Sequence, residues 1–370
     1  MFSMFFGSGN LIFPLAIGQV AQDQTLYAFA GLLLTAVAMP FAGLMAMILF
    51  EGNYQQFFGR MGKAAGFAVA TLILSLLGPF GVLPRCITLS FATLKTVFPD
   101  LTPIPFALGA CILVFLFAYR WNAILRLLGL VLTPLLLTSL AILIIKGLLD
   151  APDAQIADQS AGAIFMHGMR EGYNTMDLLA AFFFSGVVFT CLKRLIPEEE
   201  RTPRKMVRLT LQGSIVGAIL LGLTYLGFCL VAAYYGASLG DTPADKLLAA
   251  IAYQVLGPYA GLIVSIVVSS ACLTTAIALT AIAAQFLSRD VCRERISYVP
   301  ALSLVLLGSF LVSTLEFSGI QRLVGPILQI CYPALIVLSI VNIAHKLYGF
   351  RFVRAPVYAT FAVSLAFYYV

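Results

Sequence analysis

The chain has 370 residues, of which 61% are apolar or aromatic and only 10% are charged, with a mean hydropathy of +1.00. A soluble chain is roughly 45–50% apolar and about 25% charged, so no water-facing shell hides this much apolar surface, which excludes a soluble enzyme or nucleic-acid binder. The net charge of +6, from 22 Lys and Arg against 16 Asp and Glu, is the modest basic excess that cytoplasmic loops retain in a membrane protein.

At about 20 residues per crossing, the length holds roughly a dozen transmembrane helices in one polytopic domain. Apolar runs bounded by charged or turn residues predict helices at 2–21, 26–50, 63–98, 104–119, 123–147, 173–195, 207–235, 257–287, 298–313, 322–345 and 355–370, eleven in all. A short amphipathic helix on a membrane face is expected from Ala244 to Leu256. No charge precedes Asp23 and no small-residue cleavage site follows the first run, which argues against a signal peptide. Both ends are abrupt. Six residues precede Gly7-Ser8-Gly9, about 9 Å of helix against a hydrocarbon core of about 30 Å, and the last run stops at Tyr368-Tyr369-Val370 without a polar cap. The expectation is a chain that lacks a piece at each end.

Charge placement predicts an orientation. With the N-terminus in the cytoplasm and every run crossing, the inward loops hold Arg60, Lys63, Arg120, Arg126, Lys193, Arg194, Arg201, Arg204, Lys205, Arg208, Arg289, Arg293, Arg295, Lys346, Arg351 and Arg354. These are sixteen of the 22 basic residues. The outward loops hold Lys95, Lys146, Arg170, Lys246 and Arg322, and they collect Asp23, Asp100, Asp150, Asp153, Asp158, Glu171, Asp241, Asp245 and Glu316. The seven cysteines show no CxxC spacing and the two histidines, His167 and His345, lie far apart, so neither a disulfide framework nor a zinc site is expected. An enzyme would need clustered His, Asp or Glu at mid-depth, and a channel a polar or charged ring; neither is present in the sequence.

Four stretches interrupt the apolar runs. Phe6-Gly7-Ser8-Gly9-Asn10-Leu11-Ile12-Phe13-Pro14 weakens the first helix with two glycines, a serine and an asparagine, and Pro14 removes a backbone donor. A broken helix there would aim amides at an anion and carbonyls at a cation; a close-packing small-residue seam is the other reading. Gly78-Pro79-Phe80-Gly81-Val82-Leu83-Pro84-Arg85 implies a kinked or unwound third run. Arg85 is the one basic residue deep within a run, expected either to pair with an acid, Asp177 by depth, or to snorkel outward.

The sixth run opens with Gly172-Tyr173-Asn174-Thr175-Met176-Asp177, where Asp177 can cap the helix N-terminus. In its middle, Phe184-Ser185-Gly186 is the expected break. Interrupted first and sixth runs of opposite orientation are the pointer to an inverted-repeat transporter. Along the eighth run, Ala271, Thr274 and Thr275 share one face, forming either part of an oxygen cage for a monovalent cation or a hydroxyl-rich helix seam. Phe occurs 29 times, including Phe182-Phe183-Phe184, so a site here would reject polar side chains and hold aliphatic ones.

The stretches Phe6–Pro14, Gly78-Pro79 through Pro84-Arg85, and Gly172–Ala181 resemble the signatures of the branched-chain amino acid:cation symporters, and the likeness runs over essentially the whole chain. The resemblance implies sodium-driven uptake of leucine, isoleucine and valine at a bacterial inner membrane, with no cofactor other than Na⁺ as coupling ion and no nucleic-acid partner. It also implies an all-α, LeuT-like membrane fold with a five-plus-five inverted repeat, here about 1–147 and 165–346, an extra helix at 355–370, and broken helices 1 and 6. By that pattern Ser3, Phe6, Ala271, Thr274 and Thr275 would build the sodium site. The substrate carboxylate would meet Ser8, Gly9 and Asn10, and its ammonium the carbonyls of Phe183, Phe184, Ser185 and Gly186. Gly7, Pro14, Pro79, Pro84, Arg85 and Asp177 would be structural or gating residues. The alternative is a proton-coupled carrier, or one for another neutral amino acid or small solute, with Asp177 as the titrating group.

Overall fold

A computed structural model describes residues 2–119, 133–152, 156–157, 159–198, 202–240 and 242–369. Among them all regular structure is helical. This follows from the composition: a chain that puts its backbone into hydrocarbon must satisfy every amide and carbonyl internally, and a helix does so within one segment. In chain order the helices are α1 (Phe2–Phe5), α2 (Ser8–Ala21), α3 (Thr25–Leu32), α4 (Met39–Leu49), α5 (Tyr54–Gly59), α6 (Lys63–Leu77), α7 (Val82–Lys95) and α8 (Pro103–Tyr119). They continue as α9 (Thr133–Leu149), α10 (Ala161–Asn174), α11 (Asp177–Leu195), α12 (Pro203–Leu239), α13 (Ala244–Phe286), α14 (Tyr298–Ser313), α15 (Glu316–Tyr348) and α16 (Arg354–Tyr369).

Five helical stretches are long and apolar enough to cross a membrane: Ser8–Leu49, Lys63–Lys95, Lys205–Gly236, Leu262–Val291 and Glu316–Tyr348. The bent pair Ala161–Asn174 and Asp177–Thr190 makes six if it is one span, and Pro103–Tyr119, Pro134–Leu149 and Tyr298–Ser313 are shorter apolar helices. Ser8–Leu49 is folded into two legs. At Gln22 the backbone turns (φ +47°), and α2 packs on α3. Between α3 and α4 the helix widens into a π-helical stretch, Leu33–Ala38. Pro40 follows it and has no N–H to offer the preceding turn.

Each predicted run meets a helix, although residues 123–132 of the fifth lie outside the described residues, as do Arg120, Arg126, Asp153, Asp158, Arg201 and Asp241 of the charge pattern. The third run is interrupted at Gly78–Gly81, as its prolines and glycines imply. The helix expected from Ala244 joins α13 through a kink at Gly257 (φ +78°), a backbone that only glycine adopts without strain.

The sixth run is the main correction. Its helix starts at Ala161, before the expected 173, because His167, Arg170 and Glu171 dilute the apolar pattern of α10 without preventing a helix. Its break lies at Thr175–Met176 and not at Phe184-Ser185-Gly186, which sits inside continuous α11. There the Ser185 hydroxyl simply donates back to the Phe182 carbonyl (2.7 Å).

Close packing sets how the halves meet. A methyl group on Gly18 of α2 would run into the Cys229 carbonyl of α12. One on Gly31 of α3 would run into the Phe165 carbonyl of α10, and one on Gly168 into the Ala28 carbonyl. Small residues thus bring backbones together where apolar side chains gain nothing over lipid. Helix α2 lies on α12 and α10 lies on α3, while α7 packs along α13.

Candidate functional site

The two broken spans meet at their breaks. α1 ends at Phe5 and α2 begins at Ser8, with Gly7 extended between them (φ −122°, ψ −162°). The buried Gly7 amide is capped by Asn10, whose Oδ1 accepts it at 2.8 Å. Pro14 has no N–H to offer the Asn10 carbonyl four residues earlier, so this turn lacks one bond of the regular helical ladder. The second break is held open by Met176 in a left-handed conformation (φ +61°), which is strained for a side-chain-bearing residue and is buried here. Gly9 lets the two breaks touch, because a Cβ there would stand 3.0 Å from the Thr175 Cα and 3.1 Å from its carbonyl oxygen.

A polar cluster bridges the contact. Asn10 Nδ2 donates to Asp177 Oδ2 at 2.7 Å and also faces the Tyr225 hydroxyl of α12. The Tyr225 hydroxyl donates to the same carboxylate oxygen at 3.1 Å. Asn10, Asp177 and Tyr225 are all buried, so each unmade bond would carry its full desolvation cost. Next to them, the Tyr332 hydroxyl of α15 accepts the Leu178 amide at 3.2 Å, and its ring stacks on Tyr173 at 4.6 Å. Asp177 is therefore more than a helix cap: among the described residues it is a buried carboxylate held by neutral donors.

Arg85 does not meet Asp177, as depth alone suggested, and it does not snorkel. It is 1% exposed, and its Nη1 donates to the Asn174 carbonyl at 2.8 Å, at the end of α10. Its Cζ lies 5.5 Å from the Phe13 ring centroid and 5.8 Å from that of Phe317. Pro79 falls in the break before α7 and Pro84 in that helix's first turn, where a missing N–H costs nothing; together they aim Arg85 at the sixth span.

Of the cage residues, the structure brings two together. The Thr275 hydroxyl reaches the Phe6 carbonyl at 3.5 Å, and Gly7 packs against the Thr275 side chain. The Thr274 hydroxyl donates to the Ala271 carbonyl at 2.7 Å and is only partly buried, so those two turn toward each other. Ser3 lies in α1, one turn before Phe6. Ser8 is buried beside the Cys86 thiol of α7 at 3.6 Å. Phe183, Phe184, Ser185 and Gly186 do not line the contact between the breaks. Phe183 packs on Tyr54 and Phe58, Phe184 on Phe5, and their helix is continuous, so it frees no carbonyls.

Sequence reasoning missed Tyr225, Tyr332 and the partner role of Asn174. Asn174 lies in a quoted motif. The two tyrosines sit in apolar runs among 15 tyrosines and carry no local signal. It missed α5 as well, a short helix capped by the Asn53 side chain, which accepts the Gln56 amide at 3.0 Å.

Comparison with known proteins adds family evidence. The model of the family "Branched-chain amino acid transport protein" matches residues 1–368. The branched-chain amino acid permease BrnQ of Bacillus subtilis is 27% identical over 94% of this chain and 80% of its own length. The permease BrnQ of Corynebacterium glutamicum is 29% identical, also over 94% of this chain and 80% of its own length. The branched-chain amino acid transport system 2 carrier protein of Pseudomonas aeruginosa is 29% identical over 96% of this chain and 80% of its own length. Among solved structures, a Na⁺-coupled sialic acid symporter in a substrate-bound outward-open state has a TM-score of 0.48 and 11% identity, covering 97% of this chain and 89% of that one.

Proposed function

The chain belongs to the branched-chain amino acid transport protein family, which makes it a membrane transporter and not an enzyme, and we propose that it imports leucine, isoleucine and valine together with sodium. The observation that carries this reading is the meeting of two broken helices over a buried carboxylate, Asp177, in a chain of that family. A double break gathers amides, which suit a substrate carboxylate, and carbonyls, which suit a cation, at one depth. In this reading the amides of Ser8, Gly9 and Asn10 face the carboxylate. Sodium sits between the Phe6 carbonyl and the Thr275 hydroxyl, with Ser3, Ala271 and Thr274 as further candidate ligands. Because both ligands order the same stretch of helix 1, each raises the affinity for the other, which is the linkage that couples them.

The halves about 1–147 and 165–346 act as inverted repeats, with 355–370 as an extra helix, and transport proceeds by alternating access. The protein lies in a bacterial inner membrane with its N-terminus in the cytoplasm, a placement supported by the sixteen basic residues of the inward loops. A second reading, proton coupling, is favoured by one observation: the groups that donate to the Asp177 carboxylate are the neutral Asn10 and Tyr225, so its counter-charge can be a proton as well as a metal cation.

Radiolabelled leucine uptake into proteoliposomes, with an imposed sodium gradient and a potassium control, separates the two. Sodium-dependent accumulation that survives a protonophore is the expected result. Uptake indifferent to sodium and abolished by a protonophore would replace sodium with protons.

A further inference from the structure

Arg85 is the largest fully buried side chain among the described residues, and it is only partly satisfied. One donor nitrogen, Nη1, is taken by the Asn174 carbonyl. The other two, Nε and Nη2, are buried and have no hydrogen-bond partner. Phe13 and Phe317 hold the guanidinium through ring faces, which attract its charge without accepting its in-plane N–H groups. An open edge on a buried cation carries a heavy desolvation cost unless a ligand fills it.

The geometry of that edge selects the ligand. Nε and Nη2 form the side of the guanidinium whose two N–H bonds run parallel, the fork that a carboxylate accepts with both oxygens. Among the described residues no acid fills it. Glu171 Oε2 accepts from Asn174 Nδ2 at 3.0 Å, and Asp177 is held by Asn10 and Tyr225. A second unmatched group lies on the residue that anchors Arg85: Asn174 Oδ1 is buried and has no partner. Free donors and a free acceptor thus occur together at the break of the sixth span, as the zwitterionic head of an amino acid requires.

We propose that the Nε–Nη2 edge of Arg85 binds the α-carboxylate of the transported amino acid, supplying the full positive charge that the neutral amides of helix 1 lack. This rests on the transport reading above and names a specificity residue on the third span that the broken helices do not supply. It makes the carboxylate an obligatory feature of the substrate, whatever the side chain.

The test compares leucine with leucinamide, which keeps the side chain and amino group and has no carboxylate. In wild-type proteoliposomes, unlabelled leucine should compete with labelled leucine and leucinamide should not. In R85Q the leucine concentration for half-maximal uptake should rise roughly 100-fold, the usual scale for truncating one side of a buried charged pair. Leucine should also lose its advantage over leucinamide as a competitor. R85K keeps the charge but not the fork, and should fall between the two; if R85Q does not fold, R85K decides on the same two readouts. An unchanged half-saturating concentration with a lower maximal rate would overturn the proposal, as would an intact preference for leucine over leucinamide, since a gate or a structural prop behaves that way.

A thermal-shift panel of purified wild type with amino acids and their amides separates the two levels of inference. Stabilisation by another amino acid and not by leucine would sink the branched-chain reading, and Arg85 would then be judged on that amino acid and its amide. Stabilisation by no carboxylate-bearing amino acid overturns both.

Discussion

Asn10 and Asp177, 167 residues apart, share a buried hydrogen bond of 2.7 Å that ties the break of the first span to the break of the sixth. The same Asn10 side chain caps the Gly7 amide, so one residue closes its own break and holds its partner's. Removing it orphans a backbone donor and leaves a carboxylate oxygen with one partner fewer. Asn10→Ala is therefore expected to cost roughly 2–3 kcal/mol of stability, read as a lower unfolding midpoint in detergent. An unchanged midpoint would mean that water replaces the amide.

Asp177→Asn keeps the shape of this cluster and removes its charge. If the carboxylate carries the coupling charge, uptake in the variant should lose its dependence on the driving cation while substrate exchange across equal concentrations persists. Measuring exchange and gradient-driven uptake side by side separates a coupling defect from a folding defect; gradient-driven uptake at wild-type levels would remove Asp177 from the coupling path.

The hydroxyls of the eighth span make unequal predictions. Thr275 reaches the Phe6 carbonyl, whereas Thr274 is partly exposed and bonded within its own helix. Thr275→Ala should raise the sodium concentration for half-maximal uptake roughly tenfold, the worth of one good oxygen contact, and Thr274→Ala should raise it much less. Equal shifts from both substitutions would show that sodium lies elsewhere on this face.

Gly9 tests the contact between the breaks. Its missing Cβ would press on the Thr175 backbone at 3.0 Å, with no flexible side chain to yield. Gly9→Ala should cost about 1–3 kcal/mol and slow transport. Gly109→Ala, where nothing lies within 4 Å, serves as the silent control in the same uptake assay.

Tyr332→Phe removes the hydroxyl that accepts the Leu178 amide and keeps the ring stacked on Tyr173. The expected loss is about 1 kcal/mol in thermal stability. A far larger loss would show that the hydroxyl organises more of the sixth-span break than this one amide.

Much of this was legible in the residues. The runs 26–50, 104–119 and 298–313 meet helices Thr25–Leu32 with Met39–Leu49, Pro103–Tyr119 and Tyr298–Ser313, because an apolar stretch in lipid has no alternative to the helix. The break at Gly7 was readable because glycine, serine, asparagine and Pro14 weaken a helix wherever it sits. The sixth-span break misled: Phe184-Ser185-Gly186 carries the breaking residue types, yet α11 runs through it, and the chain breaks at Thr175–Met176, where no glycine or proline announces it. Met176 takes its left-handed backbone because the Gly9 contact and the Asn10–Asp177 bond hold the turns around it, and that force is tertiary.

The sequence by itself determined that the chain is a helical membrane protein with a weakened first span, an interrupted third span and an arginine deep within that span, since each follows from local backbone chemistry and from solvent. Only the tertiary structure decided which groups those features serve. Asp177, the acid that depth along the span suggested for Arg85, bonds Asn10 and Tyr225, while Arg85 turns to a backbone carbonyl and keeps one edge free. Depth along a span is set by the residue count. The partner is set by which face each helix turns toward its neighbours, and that depends on small-residue contacts such as Gly18 on Cys229 and Gly31 on Phe165, made across more than a hundred residues of chain.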